Sequence, residues 1–143
     1  MAQYVYSFTK FKNGVIRPLV NVKIINPKLL NQPIYTKCLL DTGADKCVFP
    51  ADFATKTGHD LMNNDCETLI SKGIQGVEVK TWLHTFKLEL YTEDYKKRIW
   101  RSKEFQIGCL EHNQAPPLLG CLGFLEFMNI RFNYTTKKII IQI

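Results

Sequence analysis

The run Asp41-Thr42-Gly43-Ala44-Asp45 is where this chain could do chemistry. It follows the apolar Cys38-Leu39-Leu40 and precedes Lys46-Cys47-Val48-Phe49. Burying an ionised carboxylate costs several kcal/mol unless it is paired or hydrogen-bonded. A chain that puts Asp41 at the end of an apolar strand accepts that cost, and perturbed carboxylates concentrate at functional sites. Gly43 has no Cβ, so backbone or ligand can approach it closely. In this reading Asp41 is a catalytic group on a rigid strand end. A plain strand followed by a polar turn accounts for the same residues, because Asp, Thr and Gly are ordinary turn formers. The tripeptide alone does not choose between them.

The elements that must position these residues read as mostly β. Tyr4, Tyr6 and Phe8 alternate, and Val20, Val22 and Ile24 alternate against Leu19, Asn21 and Lys23. Residues 77–82 and 86–90 alternate as two further strands. Period two implies strands with one buried face. Asn13-Gly14, Asn26-Pro27, Asn31-Gln32-Pro33 and Ala115-Pro116-Pro117 supply turns, and Asn13-Gly14 between apolar runs predicts a hairpin. Residues 51–57, after Pro50 and before Gly58, predict a short helix, and residues 123–128 predict one or two further turns.

Composition limits the function classes. The 143 residues predict one domain over residues 1–143, and 45% hydrophobic with 22% charged residues is the balance of a globular chain. The absence of a run of eighteen apolar residues argues against a membrane helix. The residues after Met1 do not read as a secretory signal, and the odd count of five cysteines favours reduced thiols. The expected location is the cytoplasm, and a start at Met1 with an end on a strand at Ile143 suits a free-standing gene product. The net charge of +6 is an ordinary solubility charge. Nucleic acid could use Lys96-Lys97-Arg98-Ile99-Trp100-Arg101-Ser102-Lys103, but a solvated strand or loop is the expectation there. Cys109, His112 and Cys121 lack a fourth ligand at sensible spacing, so neither a metal nor a cofactor is expected.

The chain resembles the retropepsin-like aspartic proteases. Residues 17–24 resemble the strand before their catalytic loop, and residues 39–45 match that loop position by position. Gly73-Ile74-Gln75-Gly76 resembles the flap tip, Leu118-Leu119-Gly120 the apolar-apolar-Gly signature, and residues 124–141 the closing part of bacterial members. The resemblance implies a mainly β, closed barrel-like protomer with one or two short helices. It implies an aspartic endopeptidase acting on peptide or protein substrates. Asp41, Thr42 and Gly43 would be catalytic. Ala44, Asp45, Gly73, Ile74, Gln75, Gly76, Leu118, Leu119 and Gly120 would bind substrate or shape its site.

That chemistry needs two carboxylates sharing one proton, one to activate water and one to donate to the carbonyl oxygen. Like charges about 3 Å apart cannot both ionise, which raises one pKa; aspartic proteases are the established example. The sequence carries a single such loop, since neither Gly58-His59-Asp60 nor Thr92-Glu93-Asp94 has the strand-turn context. Catalysis therefore implies a two-fold homodimer that brings Asp41 against its own copy. The resemblance further implies that the C-terminal Lys138-Ile139-Ile140-Ile141-Gln142-Ile143 enters a sheet shared between protomers. Ala44 offers no hydroxyl to the carboxylate, so the expected pH optimum is mildly rather than strongly acidic. One departure stands out: Cys121 occupies the place where retroviral members carry an Arg that pairs with the Asp at position 45 here. The extra length relative to those members falls in residues 91–117. The alternative function is a non-catalytic module that keeps the fold for peptide binding or dimerisation.

Overall fold

The computed structural model describes residues 1–72 and 74–143. In chain order the strands are β1 (Gln3–Ser7), β2 (Thr9–Lys10), β3 (Ile16–Arg17), β4 (Leu19–Asn26), β5 (Leu29–Leu40) and β6 (Val48–Phe49). After helix α1 (Ala51–Lys56) come β7 (Thr68–Lys72), β8 (Glu78–Tyr91), β9 (Arg98–Arg101), β10 (Phe105–Cys109), β11 (Leu118–Leu119), β12 (Asn129–Asn133) and β13 (Lys138–Gln142). A short 3₁₀ turn occupies Leu125–Phe127, and Ile74–Gly76 is a turn that is not regular 3₁₀ helix.

The main sheet runs β10-β6-β11-β5-β4-β8-β7, with β9 also on β8. Because β10 pairs with β8 as well as with β6, the sheet closes on itself. Strand β8 makes the closure possible by changing partners along its length. Residues 78–82 pair with β7, 82–86 with β10 and 87–91 with β4. The two alternating segments expected at 77–82 and 86–90 are thus one strand, continuous through Leu83-His84-Thr85. Strand β4 lies at the centre and is covered on both faces: Val20, Val22 and Ile24 are fully buried, and so is Asn21. The Asn21 amide is satisfied by donating to the Glu93 carbonyl at 2.9 Å, as a buried polar group must be.

The core joins Val22, Ile24, Phe49, Phe86, Leu88, Leu119 and Phe124 to Ile139 and Ile141. These last two belong to the C-terminal run. Strand β13 lies between β1 and β12 in a three-stranded sheet of its own chain, with Ile139 and Ile141 fully buried. Its β-branched side chains are covered and both its edges are paired within the protomer, which removes the hazard of an open apolar strand. The Asn13-Gly14 hairpin forms between β2 and β3, with Gly14 at φ +86°.

Helix α1 starts after Pro50, and its free N–H groups are capped at long range. Ala51 donates to the His112 carbonyl at 3.0 Å, and Asp52 donates to Asn113 Oδ1 at 2.8 Å. Gly58 follows the helix at φ +93°, a conformation that favours glycine. No helix among the described residues is long and apolar enough to cross a membrane.

Behind α1, the rings of His59 and His84 stack 4.8 Å apart. His59 Nε2 bonds the Thr85 carbonyl at 2.9 Å and His84 Nε2 bonds the Leu61 carbonyl at 2.8 Å. Burial, and secondarily the neighbouring His84 and Lys28, lower the His59 pKa from its ordinary 6.5, against a raising effect of the Thr85 carbonyl. The folded protein therefore binds this proton more weakly than the unfolded chain. The stability it contributes is complete above pH 6.5 and is lost as pH falls through the lowered value. Thermal melts from pH 7.5 down to about pH 4.5 should show wild type losing more stability than His59→Gln. Parallel losses in the two proteins would contradict this.

Candidate active site

The site begins where β5 leaves the core. Cys38, Leu39 and Leu40 are buried, and Asp41 emerges half-buried immediately after them. The strand end is tied down from both sides. Leu39 N–H donates to the Pro117 carbonyl at 2.8 Å, Leu40 N–H to Pro18 at 3.0 Å, and Asp41 N–H to Leu119 at 3.0 Å. The loop then folds back on its own carboxylate. Gly43 N–H donates to Asp41 Oδ1 at 3.0 Å, and Ala44 N–H to the Asp41 carbonyl at 3.2 Å. Among the described residues no side chain donates to this carboxylate, in keeping with alanine at position 44.

Strand β11 makes the arrangement rigid. It lies between β5 and β6, parallel to β5 at Leu118↔Leu39 and Leu119↔Leu40 and antiparallel to β6 at Leu118↔Val48. The two strands that carry the Asp41 loop are thus joined through a third. Beyond it, Cys121 N–H donates to the Ala44 carbonyl at 2.9 Å and Leu122 N–H to Asp45 at 2.8 Å, so the loop is backed along its outer half. Gly120 sits at the closest approach. A Cβ there would lie 2.4 Å from the Lys46 carbonyl oxygen and 2.8 Å from that of Ala44. Gly43 differs: its φ is not in the left-handed region, and an added Cβ would meet only Asp41 Oδ1, at 3.4 Å. Among the described residues nothing else crowds that position.

Two thiols flank the loop. Gly120 N–H points at Cys47 Sγ at 3.4 Å, and Cys121 Sγ is 3.9 Å from the Thr42 carbonyl. Burial pushes the Cys47 thiol up to about 11, partly offset by the Gly120 N–H, so it stays neutral at physiological pH. Asp45 is exposed, and among the described residues it forms no ion pair.

The expected flap falls on the β7–β8 hairpin. Gly73 lies outside the described residues. Gln75 (φ 68°) and Gly76 (φ 73°) both take the left-handed conformation that a tight reversal requires. Ile70, Val77 and Val79 are exposed apolar side chains on its two arms. A cleft of about 990 Å³ runs from the Asp41 loop to this hairpin. Gly43, Ala44 and Asp45 form one end, and the arm residues Leu69, Ser71 and Lys72 form another part of the wall. The wall does not include Asp41, Thr42, Gln75, Gly76, Leu118, Leu119 or Gly120. Asp41 is two residues beyond its edge, with Oδ1 held by the Gly43 N–H. Leu118, Leu119 and Gly120 underpin the loop, and Leu122, Gly123 and Phe127 reach the cleft instead.

A structure search found the crystal structure of a retropepsin-like aspartic protease from Rickettsia conorii, 18% identical, covering 98% of this chain and 98% of that chain with a TM-score of 0.57. The fold is retropepsin-like. No family model matches the sequence, and no curated protein matches it. On a retropepsin-like framework the far wall of the cleft is an unforeseen feature. Trp100, Arg101, Ser102 and Lys103 line it. In the sequence this basic stretch reads as a solvated strand or loop. Trp100 packs edge-on against Phe124 at 5.3 Å, which anchors a half-buried ring in the cleft wall. The missed signal is Ser102, a small polar residue between two cations, whose burial fixes which way its neighbours face.

The two glycines separate structural from local roles. Gly120→Ala should cost about 3 kcal/mol or more, because backbone atoms on both sides cannot yield. Gly43→Ala should cost under about 1 kcal/mol, since its one contact is at ordinary van der Waals distance. Urea unfolding of the two variants measures both; equal costs would contradict the geometry.

Proposed function

We propose that this protein is an aspartic endopeptidase acting as a homodimer, in which Asp41 from each protomer forms the catalytic dyad. The observation that carries the reading is the fixed carboxylate of Asp41, on a loop built into a retropepsin-like barrel and present once per chain. One carboxylate polarises water and the other hydrogen-bonds the scissile carbonyl, so one proton is shared between them. A two-fold axis beside the loop accounts for what the isolated protomer leaves open: glycine at position 43, which nothing in its own chain crowds, gives room for a partner loop and substrate. Thr42, exposed beside it, would hydrogen-bond across the axis. Ala44 and Asp45 would contact substrate at the cleft's edge. The hairpin carrying Gly73, Ile74, Gln75 and Gly76 would close over an extended peptide and exclude water. The peptide would add as a strand, alternate side chains entering pockets.

The unpaired Asp45 is the observation that favours the second reading, a non-catalytic module for peptide binding or dimerisation. Cleavage of a diverse peptide library by wild type and by Asp41→Asn separates the two. Wild type should cleave with an optimum between about pH 4 and 6, where a pair of carboxylates can hold one shared proton. Asp41→Asn should lose at least about a thousandfold in kcat while still sizing as a dimer. An optimum below about pH 3 would contradict the electrostatic argument. Absence of cleavage by a dimeric wild-type protein would favour the binding module.

A further inference from the structure

We infer that the cleft beside the Asp41 loop selects peptides carrying an aspartate or glutamate next to a bulky apolar residue. The inference rests on the peptide-binding part of the reading above. Four cations line the cleft: Lys46 from the loop, Lys72 from the β7 arm, Arg101 from the end of β9 and Lys103 from the β9–β10 connection. Two carboxylates, Asp45 and Glu126, oppose them. Among the described residues the ion pairs are Lys23–Glu89, Lys56–Asp52 and Arg98–Glu89, so none of the six cleft charges is committed to another side chain. An excess of uncommitted positive charge in a concave, partly apolar site focuses potential on whatever enters it. Arginine adds a planar fork suited to a carboxylate.

The positions of Arg101 and Lys103 are set by the residue between them. Ser102 is buried, and it clamps the backbone of Leu88 in both directions. Its N–H donates to the Leu88 carbonyl at 2.8 Å, and its Oγ accepts the Leu88 N–H at 2.9 Å. Leu88 is itself fully buried in the core strand β8, so the two cations flank a fixed point rather than hang on a free loop. The apolar half of the cleft is equally well placed. Trp100 lies against Phe124 and Phe127, while Leu122 and Phe127 keep 53% and 59% of their surface exposed. Exposed apolar side chains gathered at a groove mark a contact surface. A bulky apolar side chain would cover them while its acidic neighbour meets the cations.

The test uses synthetic peptides with a single Phe, flanked at successive positions by Glu or by Gln. Binding to the Asp41→Asn protein, read by tryptophan fluorescence, should favour the best Glu peptide over its Gln partner by about tenfold at low salt. The preference should shrink in 0.5 M salt, where the screening length falls to about 4 Å. Arg101→Glu/Lys103→Glu should abolish or invert it. Lys10→Glu/Lys12→Glu, the same change in net charge on the β2–β3 hairpin outside the cleft wall, should leave it intact. Equal affinity for Glu and Gln peptides, no binding of either, or equal effects of the two double variants would overturn the inference. Because the readout is binding, it also separates the two proposals. Glu-selective binding without Asp41-dependent cleavage by wild type would leave the selectivity standing and remove the protease reading. Asp41-dependent cleavage without Glu selectivity would do the reverse.

Discussion

The backbone hydrogen bonds of β11 hold together everything that matters at this site. Without that two-residue strand, β5 and β6 would end as neighbours with unpaired edges, and the loop between them would have no fixed shape. With it, the Leu119 carbonyl receives the Asp41 N–H, and the chain beyond backs the loop at Ala44 and Asp45. The cost of a half-buried carboxylate is then met locally, by the Gly43 N–H, rather than by a neutralising cation. Gly120 is the point at which this constraint becomes steric, because two backbone carbonyls already occupy the space a side chain would need.

The barrel extends that constraint to the cleft. Strand β8 passes from the hairpin arm to the core, so the segment that pairs with β7 at the cleft is continuous with the segment buried against β4. Strand β9 hangs on the same strand through the Ser102–Leu88 clamp. Loop, hairpin base and basic wall are consequently fixed relative to one another through β8 and β10. That is what a site needs if it is to position a flexible peptide without paying to order its own walls. The hairpin arms are differently made: Ile70, Val77 and Val79 on them are exposed apolar residues rather than core contacts.

Much of this was legible in the residues themselves. Asp41-Thr42-Gly43 carries a local signal, a polar turn after an apolar run, Leu118-Leu119-Gly120 is legible only by resemblance, and the fold puts the two in contact. Pro50 and Gly58 marked the bounds of α1 because helix ends are written in single residues. What escaped was non-local. The alternation at 77–82 and 86–90 could not reveal that one strand serves several partners, since periodicity reports burial and not pairing. The Lys138–Ile143 run showed that it needed cover but not which chain supplies it. The cap of α1 by Asn113 and the turning of Arg101 and Lys103 into the cleft depend on contacts across the fold. A charge run looks solvated until a buried serine within it is located.

The central claim is that one active centre needs Asp41 from two chains, and mixing tests it most directly. Wild type and Asp41→Asn would be unfolded together, refolded in equal amounts, and assayed for peptide cleavage at fixed total protein. If the dyad spans a homodimer, random pairing leaves about a quarter of the full wild-type activity, because only pairs with two intact aspartates are active. Retention of half the activity would mean that each chain works alone, and would contradict the account.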